Sequence, residues 1–274
     1  MSTIMDKFSL EGRTALVTGG AGLLGRQFTR ALGEAGAGVV VADLDYEAAR
    51  THAQRLNDVG LRAIPVGVDV TSPESVSEMV DSAVSEYSSL DVIVNSAALD
   101  PKFDPENLDA QSNNAFETYP LETWKKAMDV NLTGLFLACQ AAARQMLIQE
   151  HGVIINICST YGLVGPDQRL YERAEGHRQY KPVYYTVSKA GVLGLTRYLA
   201  TYYAGKPIRV NALTPGGVYN QHDDDFLKAY SARTVMGRMA EPDEMSGAIV
   251  FLASEASSYM TGANLIVDGG WTAW

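Results

Sequence analysis

A tyrosine and a lysine four residues apart on a helix share one face. In the stretch KPVYYTVSKAG, residues 181–191, Tyr185 stands at that distance from Lys189 and Tyr184 does not. A cation beside a phenol stabilises the phenolate and draws its pKa from about 10 toward neutrality, as a general acid/base requires. Spacing by itself does not show catalysis, because a second pair, Tyr202 and Lys206, has the same separation. There Gly205 and Pro207 end the helix, so helical geometry does not hold the lysine over the tyrosine. Tyr185 and Lys189 lie instead within VYYTVSKAGVLGLTRYLA, a continuous helical pattern. The spacing therefore selects Tyr185 and leaves Tyr184 to packing.

A second chemical feature is the turn VTGGAGLLG, in which Gly20, Gly22 and Gly25 form a G-x-G-x-x-G between a β-rich run and a helical one. Glycine is needed there for the backbone to turn tightly and approach a pyrophosphate seated on the helix N-terminus. Asp43 ends the next apolar strand, 18 residues after Gly25. An acid at that place accepts hydrogen bonds from both ribose hydroxyls and repels a 2′-phosphate. No arginine immediately follows it. This pattern favours NAD over NADP.

These residues need elements to position them. Strand-like runs at 14–20, 38–45, 62–70, 90–98, 152–158, 208–214 and 264–270 alternate with helical patterns at 23–36, 46–60, 72–87 and 124–149 and around Tyr185. Ser72 and Pro73 read as the N-cap and first turn of the third helix. Such alternation predicts an α/β fold, a Rossmann-type doubly wound parallel sheet with helices on both faces. No linker divides the chain, so residues 1–274 are expected to form one domain. Two polar stretches, 99–120 and 161–182, are long for loops and are candidates for functional insertions.

Composition narrows the partners. The chain of 274 residues carries a formal net charge of −10, which disfavours nucleic acid and anionic membranes. Two cysteines, Cys139 and Cys158, sit in apolar runs and read as core in a reducing compartment. Without an apolar leader or a long apolar span, the expectation is a soluble cytoplasmic protein. The four histidines show no ligand-like spacing, and no metal is expected.

Taken in order, TGGAGLLG, the DV at 69–70, NSAA at 95–98, VNLTG at 130–134, INICS at 155–159, Tyr185-x-x-x-Lys189, PGG at 215–217 and DGG at 268–270 span nearly the whole chain. Together they resemble the short-chain dehydrogenase/reductase family. The resemblance implies that Tyr185 is the general acid/base and that Lys189 depresses its pKa and holds the nicotinamide ribose. Ser159 would hydrogen-bond the substrate oxygen, and Asn131 would hold a water in a proton relay from Lys189. Gly19, Gly22, Leu23, Leu24 and Gly25 would form the cofactor turn, with Asp43 on the ribose and Asp69 and Val70 framing the adenine. Asn95 and Ala97 would lie near the cofactor, and Pro215, Gly216 and Val218 on the nicotinamide side. Residues 219–236 correspond to a mobile substrate lid, with Asp223, Asp224 and Asp225 capping a helix start. A homo-oligomer, tetramer or dimer, is also implied.

Two departures from the family pattern stand out. The compact members usually carry T-G-x-x-x-G-x-G, whereas Gly22 here stands one position early and Leu23 takes the middle glycine's place. Ser159 and Tyr185 are 26 residues apart, which looks like an insertion of about a dozen residues at the mouth of the site. Arg169, Arg173, His177 and Arg178 within it are available for an anionic group. The same region is loosely similar to dehydrogenases found with flagellin modification and nonulosonic-acid biosynthesis. The leading expectation is an NAD-dependent enzyme interconverting a secondary alcohol and a ketone on a sugar or other polar hydroxylated substrate. Alternatives are a 3-oxoacyl or small-ketone reductase and a non-catalytic NAD-binding scaffold.

Overall fold

Short runs of β-branched residues build the centre of the molecule. In the computed structural model, which describes residues 3–100, 114–171 and 180–274, they form seven strands: β1 (Thr14–Thr18), β2 (Gly38–Asp43), β3 (Arg62–Gly67), β4 (Val92–Asn95), β5 (Gly152–Ile157), β6 (Ile208–Pro215) and β7 (Asn264–Val267). All pairings are parallel, in the order β3-β2-β1-β4-β5-β6-β7. The order reverses between β1 and β4, so a crevice opens there beyond the strands' carboxyl ends.

Side chains alternate across the sheet, and each face has its own core. Leu16, Val40, Ile93 and Ile154 point to one side. There they meet α3 (Pro73–Tyr87), α5 (Leu135–Ile148) and α6 (Val183–Tyr202) through Met79, Met146 and Val192. Val17, Val39, Val41 and Val94 point to the other. They pack on α1 (Leu23–Glu34), α2 (Tyr46–Asp58) and α8 (Ser246–Ala253) through Phe28, Leu32, Ala53 and Ile249. Burial on both faces explains why the strands read as continuous apolar runs. Fully burying a side chain such as Phe28 contributes roughly 1.5–3 kcal/mol.

The helical pattern at 124–149 resolves into three parts. A short α4 (Leu121–Met128) runs into a π-helical segment, Asp129–Gly134, before α5 begins. Such segments recur at functional sites, and this one carries Asn131. Gly134 is required inside it, because a Cβ there would stand 2.7 Å from Val70 Cγ2. Two caps follow the sequence reading: Ser72 accepts from the Ser75 N–H at 3.2 Å, and Asp223 accepts from the Phe226 N–H at 2.8 Å at the start of α7 (Asp224–Ser231). The strand-like runs at 62–70, 90–98 and 264–270 are shorter than read, because Val68–Val70, Ser96–Ala98 and Asp268–Gly270 leave the ladder to line the crevice end. Among the described residues no helix is long and apolar enough to cross a membrane.

Candidate active site

The glycine turn forms in spite of its altered spacing. Gly19 adopts φ +64°, and a Cβ on it would stand 3.0 Å from the Ala97 backbone. At Gly25 a Cβ would fall 2.0 Å from the Gly19 carbonyl oxygen, so no other residue fits without moving the turn. Gly22 is the N-cap of α1, and its N–H donates to the Gly19 carbonyl at 3.0 Å. Leu23 then becomes the first helical residue, its side chain 38% exposed, with Leu24 partly buried behind it. The displaced glycine is thereby accommodated as a cap. Thr18 Oγ1 accepts from the N–H groups of Ser96 and Ala97 at 3.1 and 3.2 Å, binding the ends of β1 and β4 together at the crevice. Asp43, at the end of β2, accepts from the Ala21 N–H at 3.0 Å and the Asp45 N–H at 3.2 Å. A side-chain-free cradle, the open N-terminus of α1 and a carboxylate at the β2 end fit a nicotinamide dinucleotide.

Other residues implied as cofactor neighbours ring this crevice in different ways. Asp69 is exposed, and hydrogen bonds from the Thr71 hydroxyl and N–H hold its carboxyl below its usual range. Val70 is buried. Asn95 turns its carboxamide inward, donating to Asn156 Oδ1 at 2.9 Å and Cys139 Sγ at 3.3 Å, so its side chain braces the core. Pro215 ends β6, and the Gly216 N–H donates to the Val267 carbonyl at 2.8 Å. The Gly217 N–H donates to the Tyr230 hydroxyl at 2.5 Å. Val218 pairs with Ala240.

The tyrosine, lysine and serine converge at the end of β5. Ser159 follows β5 and is almost wholly buried. Its hydroxyl lies near enough to the Tyr185 phenol to draw its pKa down, and it accepts from the Tyr161 N–H at 3.2 Å. Lys189, also buried, lies one turn along α6 from Tyr185, its Nζ 5.9 Å from that ring's centre and donating to the Ile157 carbonyl at 2.9 Å. Asn131 is 3% exposed. Its carboxamide accepts from the Leu99 N–H at 2.6 Å and donates to the Leu99 carbonyl at 3.1 Å and to Ser188 Oγ at 3.3 Å. Tyr184 is buried against Tyr119, 6.2 Å between ring centres, and Tyr202 is 66% exposed beyond the helix interior. The expectation of a lowered Tyr185 pKa is corrected. Burial and the Asp100 carboxylate push the phenol well above its usual value, outweighing the Ser159 hydrogen bond. Burial likewise lowers the Lys189 ammonium.

The chain can be compared with known proteins on this geometry. A family model described as enoyl-(acyl carrier protein) reductase matches residues 20–272. The cis-4-hydroxycyclohexanecarboxylate dehydrogenase of Sinomonas cyclohexanicum is 38% identical over 266 residues, covering 95% of this chain and 97% of the relative. A short-chain type dehydrogenase/reductase from Mycobacterium marinum superposes with a TM-score of 0.86 at 34% identity, covering 100% of both chains. This protein is a short-chain dehydrogenase/reductase. Another structure of similar fold, a gluconate 5-dehydrogenase from Burkholderia cenocepacia J2315 in complex with NADP and tartrate, gives 0.86 at 32% identity, covering 99% of this chain and 100% of that one. A short-chain dehydrogenase/reductase binds a nicotinamide cofactor, and this chain's cradle is of that kind.

In this short-chain dehydrogenase/reductase only part of the insertion read from the sequence belongs to the described residues. Arg173, His177 and Arg178 lie outside the described residues. The Arg169 guanidinium is held on Asp167 at 2.8 and 2.7 Å, and its side chain is 75% exposed. Asp167 also accepts from Arg233, just beyond α7, at 2.7 Å, which joins the insertion to the 219–236 segment. Among the described residues a second cation besides Lys189 meets Tyr185: Lys181, which sequence reasoning missed. Its Nζ lies 4.2 Å from the Tyr185 ring centre and is ion-paired with Asp100. Aromatic residues roof the site: Trp271 stacks on Tyr230 with ring centres 4.4 Å apart, and His222 stacks on Phe226 at 4.9 Å. Tyr171 donates to the Tyr161 hydroxyl at 3.2 Å. Burial pushes the Tyr161 phenol up to about 12. Among the described residues no group of three His, Cys, Asp or Glu side chains could hold a metal ion.

Proposed function

We propose that this chain interconverts a secondary alcohol and a ketone with NAD, on a sugar or other polar hydroxylated substrate. The observation that carries the reading is the meeting of Ser159, Tyr185 and Lys189 at the crevice end of the sheet, beside the glycine cradle. The nicotinamide, when bound, supplies or accepts the hydride. Ser159 donates a hydrogen bond to the substrate oxygen, and Tyr185 gives that oxygen a proton in reduction or removes one in oxidation. On this reading Lys189 favours the phenolate form through its charge and holds the nicotinamide ribose when the cofactor is bound. On the same reading Asn131, fixed between Leu99 and Ser188, holds a water in a proton relay from Lys189.

Asp43, with Asp45 and Glu47 close behind it, makes the ribose end acidic and disfavours a 2′-phosphate. The NADP in the Burkholderia relative makes this the point to test. The hydroxycyclohexanecarboxylate and tartrate named for the relatives support a polar hydroxylated substrate. The same reading expects a cytoplasmic homo-oligomer. Tyr185→Phe should lower turnover at least about 100-fold while NAD still raises the melting temperature, and NAD should raise it more than NADP does. Undiminished turnover in that variant defeats the mechanism; a stronger response to NADP defeats the cofactor assignment.

A further inference from the structure

We propose that Lys181 is the substrate-anion receptor of this site, holding the carboxylate of a hydroxy or oxo acid whose alcohol or ketone faces Tyr185. The proposal rests on the alcohol/ketone reading above and adds the substrate's charge and the residue that reads it.

Lys181 is held firmly in place. Gln168 grips its backbone from both sides, accepting from its N–H at 2.9 Å and donating to its carbonyl at 3.5 Å. Pro182, the N-cap of α6, follows it, so the lysine is fixed relative to Tyr185 and Lys189. Its side chain is 12% exposed and its ammonium lies over the Tyr185 ring. Cations are attracted to an aromatic face, but that leaves most of an ammonium's hydrogen-bonding capacity unused.

The partner is the asymmetric half of the pair. Asp100 has 48% of its side chain exposed, so the carboxylate on Lys181 is half in water while the cation is enclosed. The half-solvated carboxylate is the partner that can leave the pair, since water can take over its hydrogen bonds, while the enclosed ammonium then needs another anion. Among the described residues, three other cations of this region have partners of their own. Lys189 is bound to the Ile157 carbonyl on the inner side of Tyr185, while Arg169 and Arg233 share Asp167. The chain's net charge of −10 repels an anionic substrate, which makes a local cation necessary for capturing one. A carboxylate replacing Asp100 on Lys181 would lie a short carbon skeleton away from the oxygen on which Tyr185 acts. His222, in the segment that roofs the site, is close enough to feel the charges of both Lys181 and Asp100.

The test uses the full-length protein with cis-4-hydroxycyclohexanecarboxylate and its uncharged analogue 4-(hydroxymethyl)cyclohexanol, comparing the ratio of their kcat/KM values. The wild type should prefer the acid at least tenfold. Lys181→Met should reduce that ratio at least tenfold, and Lys181→Arg should keep most of it. Calorimetric titration with cyclohexanecarboxylate, which lacks the reacting hydroxyl, reads the anion site without turnover and should show at least tenfold weaker binding in Lys181→Met. A ratio and an affinity that ignore Lys181 overturn the proposal even if Tyr185-dependent turnover persists. Lys181-dependent binding of the carboxylate without turnover of any alcohol would uphold the anion site and overturn the catalytic reading.

Discussion

The proton state of Tyr185 is set by its surroundings more than by its helical partner. Burial and Asp100 raise the phenol, which on the proposed mechanism suits it to give a proton in ketone reduction. Alcohol oxidation needs the deprotonated form and should therefore rise with pH as the phenol's pKa is approached from below. Asp100→Asn removes a negative charge that opposes the phenolate and frees the Lys181 ammonium above the ring. Both changes lower the phenol's pKa. The rising limb of the oxidation profile, measured as kcat against pH, is expected to move about one unit toward lower pH. A limb that stays put or moves upward would show that Asp100 does not act on Tyr185. Helical spacing was enough to separate Tyr185 from Tyr184 and from the Tyr202 pair. It could not reveal Asp100 and Lys181, 81 residues apart, because only the fold brings them together.

Among the elements, the ends of the strands do most of the positioning. Asp91, at the start of β4, accepts from the Thr14 N–H at 2.9 Å, Arg13 at 2.9 Å, Ser89 at 2.6 Å and His151 at 2.6 Å, joining β1, β4 and β5 at the edge opposite the crevice. Burial pushes its carboxyl up, but these hydrogen bonds outweigh it and hold the group below its usual range. A carboxyl lowered by folding stabilises the protein above its unfolded pKa, and that contribution is lost as pH falls through the folded pKa. Asp91→Ala should cost about 2 kcal/mol at pH 7, chiefly by leaving the buried Thr14 N–H unpaired. The gap between the melting temperatures of wild type and variant should narrow as pH falls below the ordinary carboxylate range; a gap that stays constant through acid would contradict this account. Caps at Ser72 and Asp223 were readable because a cap is a local hydrogen bond. The π segment at Asp129–Gly134 was not, since the packing of Gly134 on Val70 and the grip of Asn131 on Leu99 place it there.

At the scale of the molecule, two helices leave an apolar stripe facing outward. Phe136 and Leu147 on α5, and Val187, Tyr198 and Tyr202 on α6, are each more than 40% exposed. On α6, Gly191 and Gly194 lie between them at helical spacing, and a Cβ on Gly194 would meet nothing. Such a stripe suits close approach by a second copy, so light scattering should show a dimer or tetramer. Phe136→Glu is expected to shift the distribution toward smaller species. A monomeric wild type would refute the oligomer.

The sequence by itself determined what local physics encodes: the alternation of apolar strands and helices, the glycine turn, the helical spacing of Tyr185 and Lys189, and the caps. Each depends on residues close together in the chain or on periodicity that burial imposes. Only the tertiary structure decided which charges meet the reacting tyrosine. It sent Arg169 to Asp167, tied that aspartate to Arg233 at the end of the roof, and set the Asp100–Lys181 pair over Tyr185. The reason is physical: long-range electrostatics depends on distances in space and on burial, and neither is a property of neighbouring residues alone.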